Sequence, residues 1–192
     1  MQIGILALQG AFIEHNKMLK ALNIEAFEIR QRKDLDKPMD GLILPGGEST
    51  TMYKLLNDLN MFDKVKELIT DGLPVFGTCA GLLLLAKKVN NHSTSYIQTM
   101  NVTAKKNAFG RQLGSFKTTG TFNNQENVPF IFIRAPYIET VGDEVEVLAT
   151  VDDLIVAARE KNQLATAYHP ELTKDLTVHK YFIDMCKNYK KR

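Results

Sequence analysis

The chain has 192 residues, 44% hydrophobic and 24% charged, ordinary proportions for one compact soluble domain. At this length one core buries roughly 70% of the surface that the unfolded chain exposes, so no disulfide or metal staple is required. Twenty-four basic and 22 acidic side chains leave a formal charge of +2, too balanced for a nucleic-acid or membrane binder.

Residues 3–8 (IGILAL) predict a buried strand that ends at Gly10. Phe12, Met18, Leu19 and Leu22 then mark a helical face. Strands follow at 26–29 and 41–44, the second stopped by Pro45-Gly46-Gly47. A helical stretch begins near Thr51, with a break near Asn60. Residues 74–78 (PVFGT) predict another short strand and 81–89 another helix. Apolar strands alternating with helices imply a mostly parallel sheet covered on both faces. In the second half, strand patterns at 102–104, 115–122, 130–134, 145–151, 155–159 and 164–168 have few helices between them. They predict an antiparallel or mixed extension of the sheet. Val178, Tyr181, Phe182, Met185 and Tyr189 share one face of a C-terminal helix. No repeat or linker divides the chain, so 1–192 reads as a single domain.

The opening MQIGILALQG lacks the basic start of a signal peptide, and the longest apolar run, 82–86, falls far short of the ~20 residues that cross a bilayer. Cys79 and Cys186 lack metal-ligand spacing and read as reduced thiols in a cytoplasmic protein. A free cysteine is most often a small buried hydrophobe. Cys79 has a different setting. In Gly77-Thr78-Cys79-Ala80-Gly81 it follows a strand, precedes an apolar helix and is flanked by glycines, the pattern of a nucleophile elbow with cysteine as nucleophile. The helix N-terminus favours the thiolate, and the Ala80 amide is free to donate to an oxyanion. Cys186 lies among Met185 and Tyr189 and is assigned to packing.

Cysteine catalysis needs a base and a group to orient it. Of the four histidines, His15 and His179 fall in predicted helices and His92 in a polar stretch, so all three read as solvated or structural. His169 closes the strand at 164–168 and precedes Pro170, which favours an extended backbone before it. Residues two apart in an extended run point the same way, which lets Glu171 orient the imidazole. The Leu44-Pro45-Gly46-Gly47-Glu48-Ser49 turn exposes backbone amides suited to an oxyanion and doubles as a helix start, with Ser49 or Thr50 as N-cap. The Lys-Ser/Thr of a phosphate loop is missing from it.

PGGEST, GTCAG and HPE, in that order, resemble the class I (triad) glutamine amidotransferases. LALQGAF, GLILPGGESTTM, PVFGTCAGL, NAFGRQ, SF, FIRAP and HPELT narrow the resemblance to the glutaminase subunits of deoxyxylulose-independent pyridoxal 5'-phosphate synthases, over nearly the whole chain. The resemblance implies a three-layer, flavodoxin-like fold and hydrolysis of L-glutamine by Cys79, His169 and Glu171, without cofactor or metal. It implies oxyanion amides from Gly47 and Ala80. Substrate contacts would come from Gly46, Gly47, Glu48, Ser49, Lys106, Ile133 and Arg134, and Gln9 and Gly10 would form a loop toward the partner. That partner is a (β/α)8-barrel synthase subunit that takes the ammonia, and its docking completes the oxyanion hole. Lys106 stands where the family usually has arginine, and cannot make a planar bidentate contact. Ile13 stands where a basic residue is common, and Tyr137 and Tyr168 where histidine and phenylalanine are. Two alternatives remain at this point: a triad glutaminase serving another synthase, and a catalytically silent regulatory subunit.

Overall fold

A computed structural model of the chain describes residues 1–90, 96–106 and 115–190. The first half runs β1 (Gln2–Leu6), α1 (Phe12–Ala21), β2 (Glu25–Ile29), β3 (Gly41–Leu44), α2 (Ser49–Asp58), α3 (Phe62–Thr70), β4 (Val75–Thr78), α4 (Ala80–Leu85) and β5 (Ala86–Asn90). The second half adds β6 (Met100–Lys105), β7 (Ser115–Phe122), β8 (Gln125–Ile133), β9 (Tyr137–Val141), β10 (Glu146–Val151), β11 (Leu154–Glu160), β12 (Gln163–Thr166) and α5 (Thr177–Lys190).

The main sheet has the order β2-β1-β3-β4-β12-β11-β9-β6-β5, with β10 also on β11, while β7 and β8 form a separate antiparallel ribbon. Strands β2-β1-β3-β4-β12 are all parallel. Every residue of β3, β4 and β12 is buried, as strands covered on both faces must be. On one face α4 lies so close to β4 that a Cβ on Gly77 would sit 2.6 Å from the Gly81 carbonyl carbon. On the other, the Phe76 ring meets Phe182 of α5 at 5.6 Å and His15 of α1 at 5.8 Å between centroids. Burying such a ring contributes roughly 2–3 kcal/mol. Because successive strand residues alternate faces, Phe76 and Thr78 look toward α1 and α5 while Gly77 looks toward α4.

Beyond β12 the pairing turns antiparallel through β11, β9 and β6, and β5 then runs parallel to β6. The expected mostly parallel sheet with a mixed extension is the observed architecture. Some elements differ from the sequence reading. The helix expected at 81–89 stops at Leu85, and Ala86–Asn90 is strand β5. The Leu84 carbonyl, which a longer helix would use internally, accepts instead from the amides of Ile97 and Gln98, and the released chain gains a ladder with β6. Strand β9, unmarked in the sequence reading, links β6 to β11. The break at Asn60 is real: its φ is +54, a conformation that ends α2 before α3 begins. Glu48, rather than Ser49 or Thr50, caps α2, accepting from the backbone amides of Thr50 and Thr51.

Candidate active site

Cys79 stands between β4 and α4 with φ +49 and ψ −95, a region that a residue with a Cβ enters at a cost of about 1–3 kcal/mol. The neighbours hold it there. Its amide donates to the Thr166 carbonyl of β12 at 2.8 Å, and its own carbonyl accepts from Leu83. Gly81 permits the sharp entry into α4, since a Cβ there would lie 2.1 Å from the Leu44 carbonyl oxygen. The residue is buried, 7% exposed.

His169 follows β12, the strand next to β4, so the sheet itself brings it beside the elbow. Its amide donates to the Ile131 carbonyl of β8 at 2.8 Å, and its Nδ1 lies 2.7 Å from Glu171 Oε1. The pairing matches the sequence reading, but its geometry does not arise from an extended run. Pro170–Leu172 form a 3-10 turn that folds the Glu171 side chain, 0% exposed, back under the ring. Burial works against charge on His169, but hydrogen bonds to Cys79 and Glu171, with their negative charges, outweigh it and lift the imidazole to about 10. The balance favours the protonated ring between the sulfur and the carboxylate.

Across from His169 lies the glycine turn after β3. A Cβ on Gly46 would fall 2.2 Å from His169 Cε1, so only glycine fits. The Gly46 carbonyl accepts from the Ala11 amide at 2.9 Å, and Gln9 Oε1 takes the Glu48 amide at 2.8 Å. Residues 9–11 thus grip the glycine turn at two points. Gly10, at φ +97, passes so close that a Cβ would lie 1.9 Å from the Gly46 oxygen.

The remaining expected contacts divide. Glu48 is held as a carboxylate, down to about 2: burial opposes this, but backbone and hydroxyl hydrogen bonds from Thr51 and Thr50 prevail. Lys106 Nζ reaches Glu48 Oε1 at 3.5 Å. Ser49 is buried, its hydroxyl 3.1 Å from the Tyr96 hydroxyl. Ile133 and Arg134 are exposed just past the stretch of β8 that anchors His169, and Arg134 has φ +44. Asn107 to Gln112 of the NAFGRQ motif, including Arg111, and His92 lie outside the described residues.

His15 and His179 are not solvated as one reading of the sequence allowed: both are fully buried. Burial, with the neighbouring His179 and His169 charges, pushes His15 well below the usual histidine range, and burial pushes His179 down to about 3. Their helical spacing carried the signal, since His15 shares a face with Met18 and Leu19, and His179 with Phe182. Among the described residues no helix is long and apolar enough to cross a membrane.

Residues 5–188 match the SNO glutamine amidotransferase family. The chain is 55% identical over 190 residues to pyridoxal 5'-phosphate synthase subunit PdxT of Streptococcus pneumoniae (strain CGSP14), covering 97% of this chain and 98% of that protein. It is 58% identical over 185 residues to the PdxT subunit of Methanocorpusculum labreanum, covering 96% and 97%. A crystal structure of a glutamine amidotransferase superposes with a TM-score of 0.91 at 40% identity, over 96% of this chain and 98% of that one. A glutamine amidotransferase from Thermotoga maritima, at 13% identity, shares the fold with a TM-score of 0.64 over 99% and 85%. On the sequence match and the close structural likeness together, the chain belongs to the SNO glutamine amidotransferase family.

Proposed function

We propose that this chain is the glutaminase subunit of a pyridoxal 5'-phosphate synthase, hydrolysing L-glutamine to L-glutamate and ammonia with Cys79, His169 and Glu171 as its catalytic triad. The observation that carries the reading is the geometry: His169, its Nδ1 2.7 Å from the Glu171 carboxylate, stands beside a Cys79 elbow on a strained backbone. A thiolate beside an imidazolium is both nucleophilic and supplied with an acid. The Cys79 sulfur attacks the side-chain amide carbon, and the carbonyl π electrons move onto oxygen. Amides of Gly47 and Ala80 stabilise that oxyanion, a contribution of about 3 kcal/mol per donor. His169 gives its proton to the departing nitrogen, so ammonia leaves and a thioester remains. The neutral imidazole then takes a proton from water, whose oxygen displaces the thiolate to give glutamate.

Glutamine sits against Gly46, Gly47, Glu48 and Ser49, with Lys106, Ile133 and Arg134 around it. The Glu48 carboxylate and Lys106 ammonium offer opposite charges to the substrate's α-amino and α-carboxylate groups. The Gln9-Gly10 loop is the link to the partner. Gln9 already accepts from the Glu48 amide and the adjoining Ala11 amide donates to the Gly46 carbonyl, so a shift of this loop reorients the Gly47 amide. The partner is a (β/α)8-barrel subunit that receives the ammonia by direct channelling. As a lyase it combines it with ribose 5-phosphate and glyceraldehyde 3-phosphate. The whole chain acts as one domain in the cytoplasm, where its two free cysteines stay reduced.

Glutamate release from L-glutamine by the purified chain, with and without the synthase subunit, tests the reading. Activity should appear with the partner and fall roughly 10⁴-fold or more in Cys79→Ala. Equal activity without the partner would remove the gating, and no activity with it would remove the glutaminase reading.

A further inference from the structure

Behind the triad lies a second set of buried polar groups that the reaction above leaves unused. Thr78, the last residue of β4, points to the face shared by α1 and α5. Its Oγ1 lies 3.5 Å from Glu171 Oε1 and 3.2 Å from His15 Nε2. His15 Nδ1 in turn lies 2.9 Å from His179 Nε2, and both imidazoles are 0% exposed. His15 Nε2 is also 3.7 Å from Glu171 Oε1.

The chemistry of the carboxylate gives this chain one direction. An ionised Glu171 only accepts, so the Thr78 hydroxyl donates to it. The Thr78 oxygen then accepts from His15 Nε2–H, which leaves His15 Nδ1 to accept from His179 Nε2–H. The far end of the chain is then His179 Nδ1, an unprotonated nitrogen, and it has no partner among the described residues. Every hydrogen in the series points toward the oxygen that also receives His169 Nδ1–H. Glu171 Oε2 is buried and has no hydrogen-bond partner among the described residues, so among these the donors to Oε1 fix the rotation of the carboxylate. Packing gives no reason for two imidazoles in this space. An apolar pair of similar volume would fill it beside Phe76 without desolvating four ring nitrogens.

We propose that Thr78 and His15, backed by His179, are positioning residues that lock the Glu171 carboxylate under His169 and thereby set the geometry of the Cys79–His169 pair. The proposal rests on the triad reading above. It assigns a role to the threonine next to the nucleophile and to a histidine 64 positions earlier than Cys79. Neither touches substrate; both act through the carboxylate.

Two paired substitutions test it. Thr78→Val and His15→Leu remove the donors, whereas Thr78→Ser and His15→Gln keep a hydroxyl and an amide N–H in place of Nε2–H. In the complex of the full chain with its synthase subunit, the first pair should lower kcat for glutamine hydrolysis roughly tenfold to a hundredfold, the range seen when outer partners of a functional imidazole are lost. KM should stay within about twofold, because no substrate contact is touched. The second pair should recover most of the rate. On the full chain alone, the pH profile of Cys79 alkylation by iodoacetamide should move to higher pH in Thr78→Val and His15→Leu only, since a carboxylate free to turn holds the imidazolium less firmly. Unchanged kcat and alkylation profile in the first pair would overturn the proposal, as would losses equal in both pairs, which would indicate packing. If His15→Leu fails to fold, Thr78→Val, a swap of hydroxyl for methyl at near-equal volume, decides alone. If the unsubstituted complex releases no glutamate, the glutaminase reading fails, and the alkylation profile still decides this one.

Discussion

The surroundings of the two cysteines differ in everything except burial. Cys186 sits within α5, its sulfur facing Gly41 so closely that a Cβ there would come within 2.6 Å. Burial, then the nearby Asp40 charge, pushes its thiol up to about 12. Cys79 is nearly as buried, yet it stands at a helix start on a strained backbone beside a protonated imidazole. Depth in the protein therefore does not set the two thiols apart. The local field and the backbone do, and both are built by residues distant in sequence.

The sharpest break in this comparison is chemical. At pH 8 a thiol held near 12 is ionised to about one part in 10⁴, so iodoacetamide should label Cys79 at least about a thousandfold faster than Cys186. Peptide mapping by mass spectrometry reads the ratio, and comparable labelling of both would erase the distinction. A smaller effect should follow from Gly46→Ala. The new methyl would displace the His169 ring from 2.2 Å away, and a misplacement of about 1 Å costs on the order of 10² in rate. Glutamate release in the complex should fall by that factor while Cys186 labelling stays as it was; full activity would mean that the ring has room the geometry denies it.

The smallest effect concerns stability against pH. His169 has a folded pKa near 10, above the 6.5 of a free imidazole. A raised histidine stabilises the fold fully below about 6.5 and loses that contribution as pH climbs through about 10. Urea midpoints measured across this window should drift down. The drift should persist in Cys186→Ala and flatten in Cys79→Ala, where a principal partner of the imidazolium is gone. Equal slopes in the two variants would detach the titration from the elbow.

Much of the site was legible because its chemistry depends on backbone that only certain residues allow. Gly77 and Gly81 around Cys79, and Gly46 before Gly47, are forced by approaches between 2.1 and 2.6 Å, and such residues mark themselves in a sequence. The parallel half of the fold was legible for a related reason: β3 is wholly apolar and β4 is apolar up to its last residue, Thr78, with no polar alternation to confuse them. The register of the site was not. An extended-chain argument pairs His169 with Glu171 in the sequence, while the structure brings them together through a 3-10 turn at Pro170. Local spacing limits which residues meet but leaves open the path by which they do so. Strand β5 was hidden because the leucines of α4 run straight into Ala86 without a stop residue, and only the amides of Ile97 and Gln98 reveal where the helix ends. The sequence reads His15 and His179 as no more than solvated or structural because their partners are each other and Thr78, contacts between residues 63 and 164 positions apart that no local pattern encodes.

The contact between Gly81 and Leu44 bears on how freely this site can change. Leu44 closes β3 immediately before the Pro45-Gly46-Gly47 turn, and its carbonyl occupies the volume that any side chain at position 81 would require. The back wall of the Cys79 elbow and the hinge of the Gly46-Gly47 turn are thus the same few atoms. A library of variants randomised at either place alone would sample mostly broken proteins, whereas one that varied both together, letting α4 and the β3 terminus move apart in step, would reach new pocket shapes. Arg134, exposed just past β8, carries no such constraint, so variation there should be tolerated far more readily.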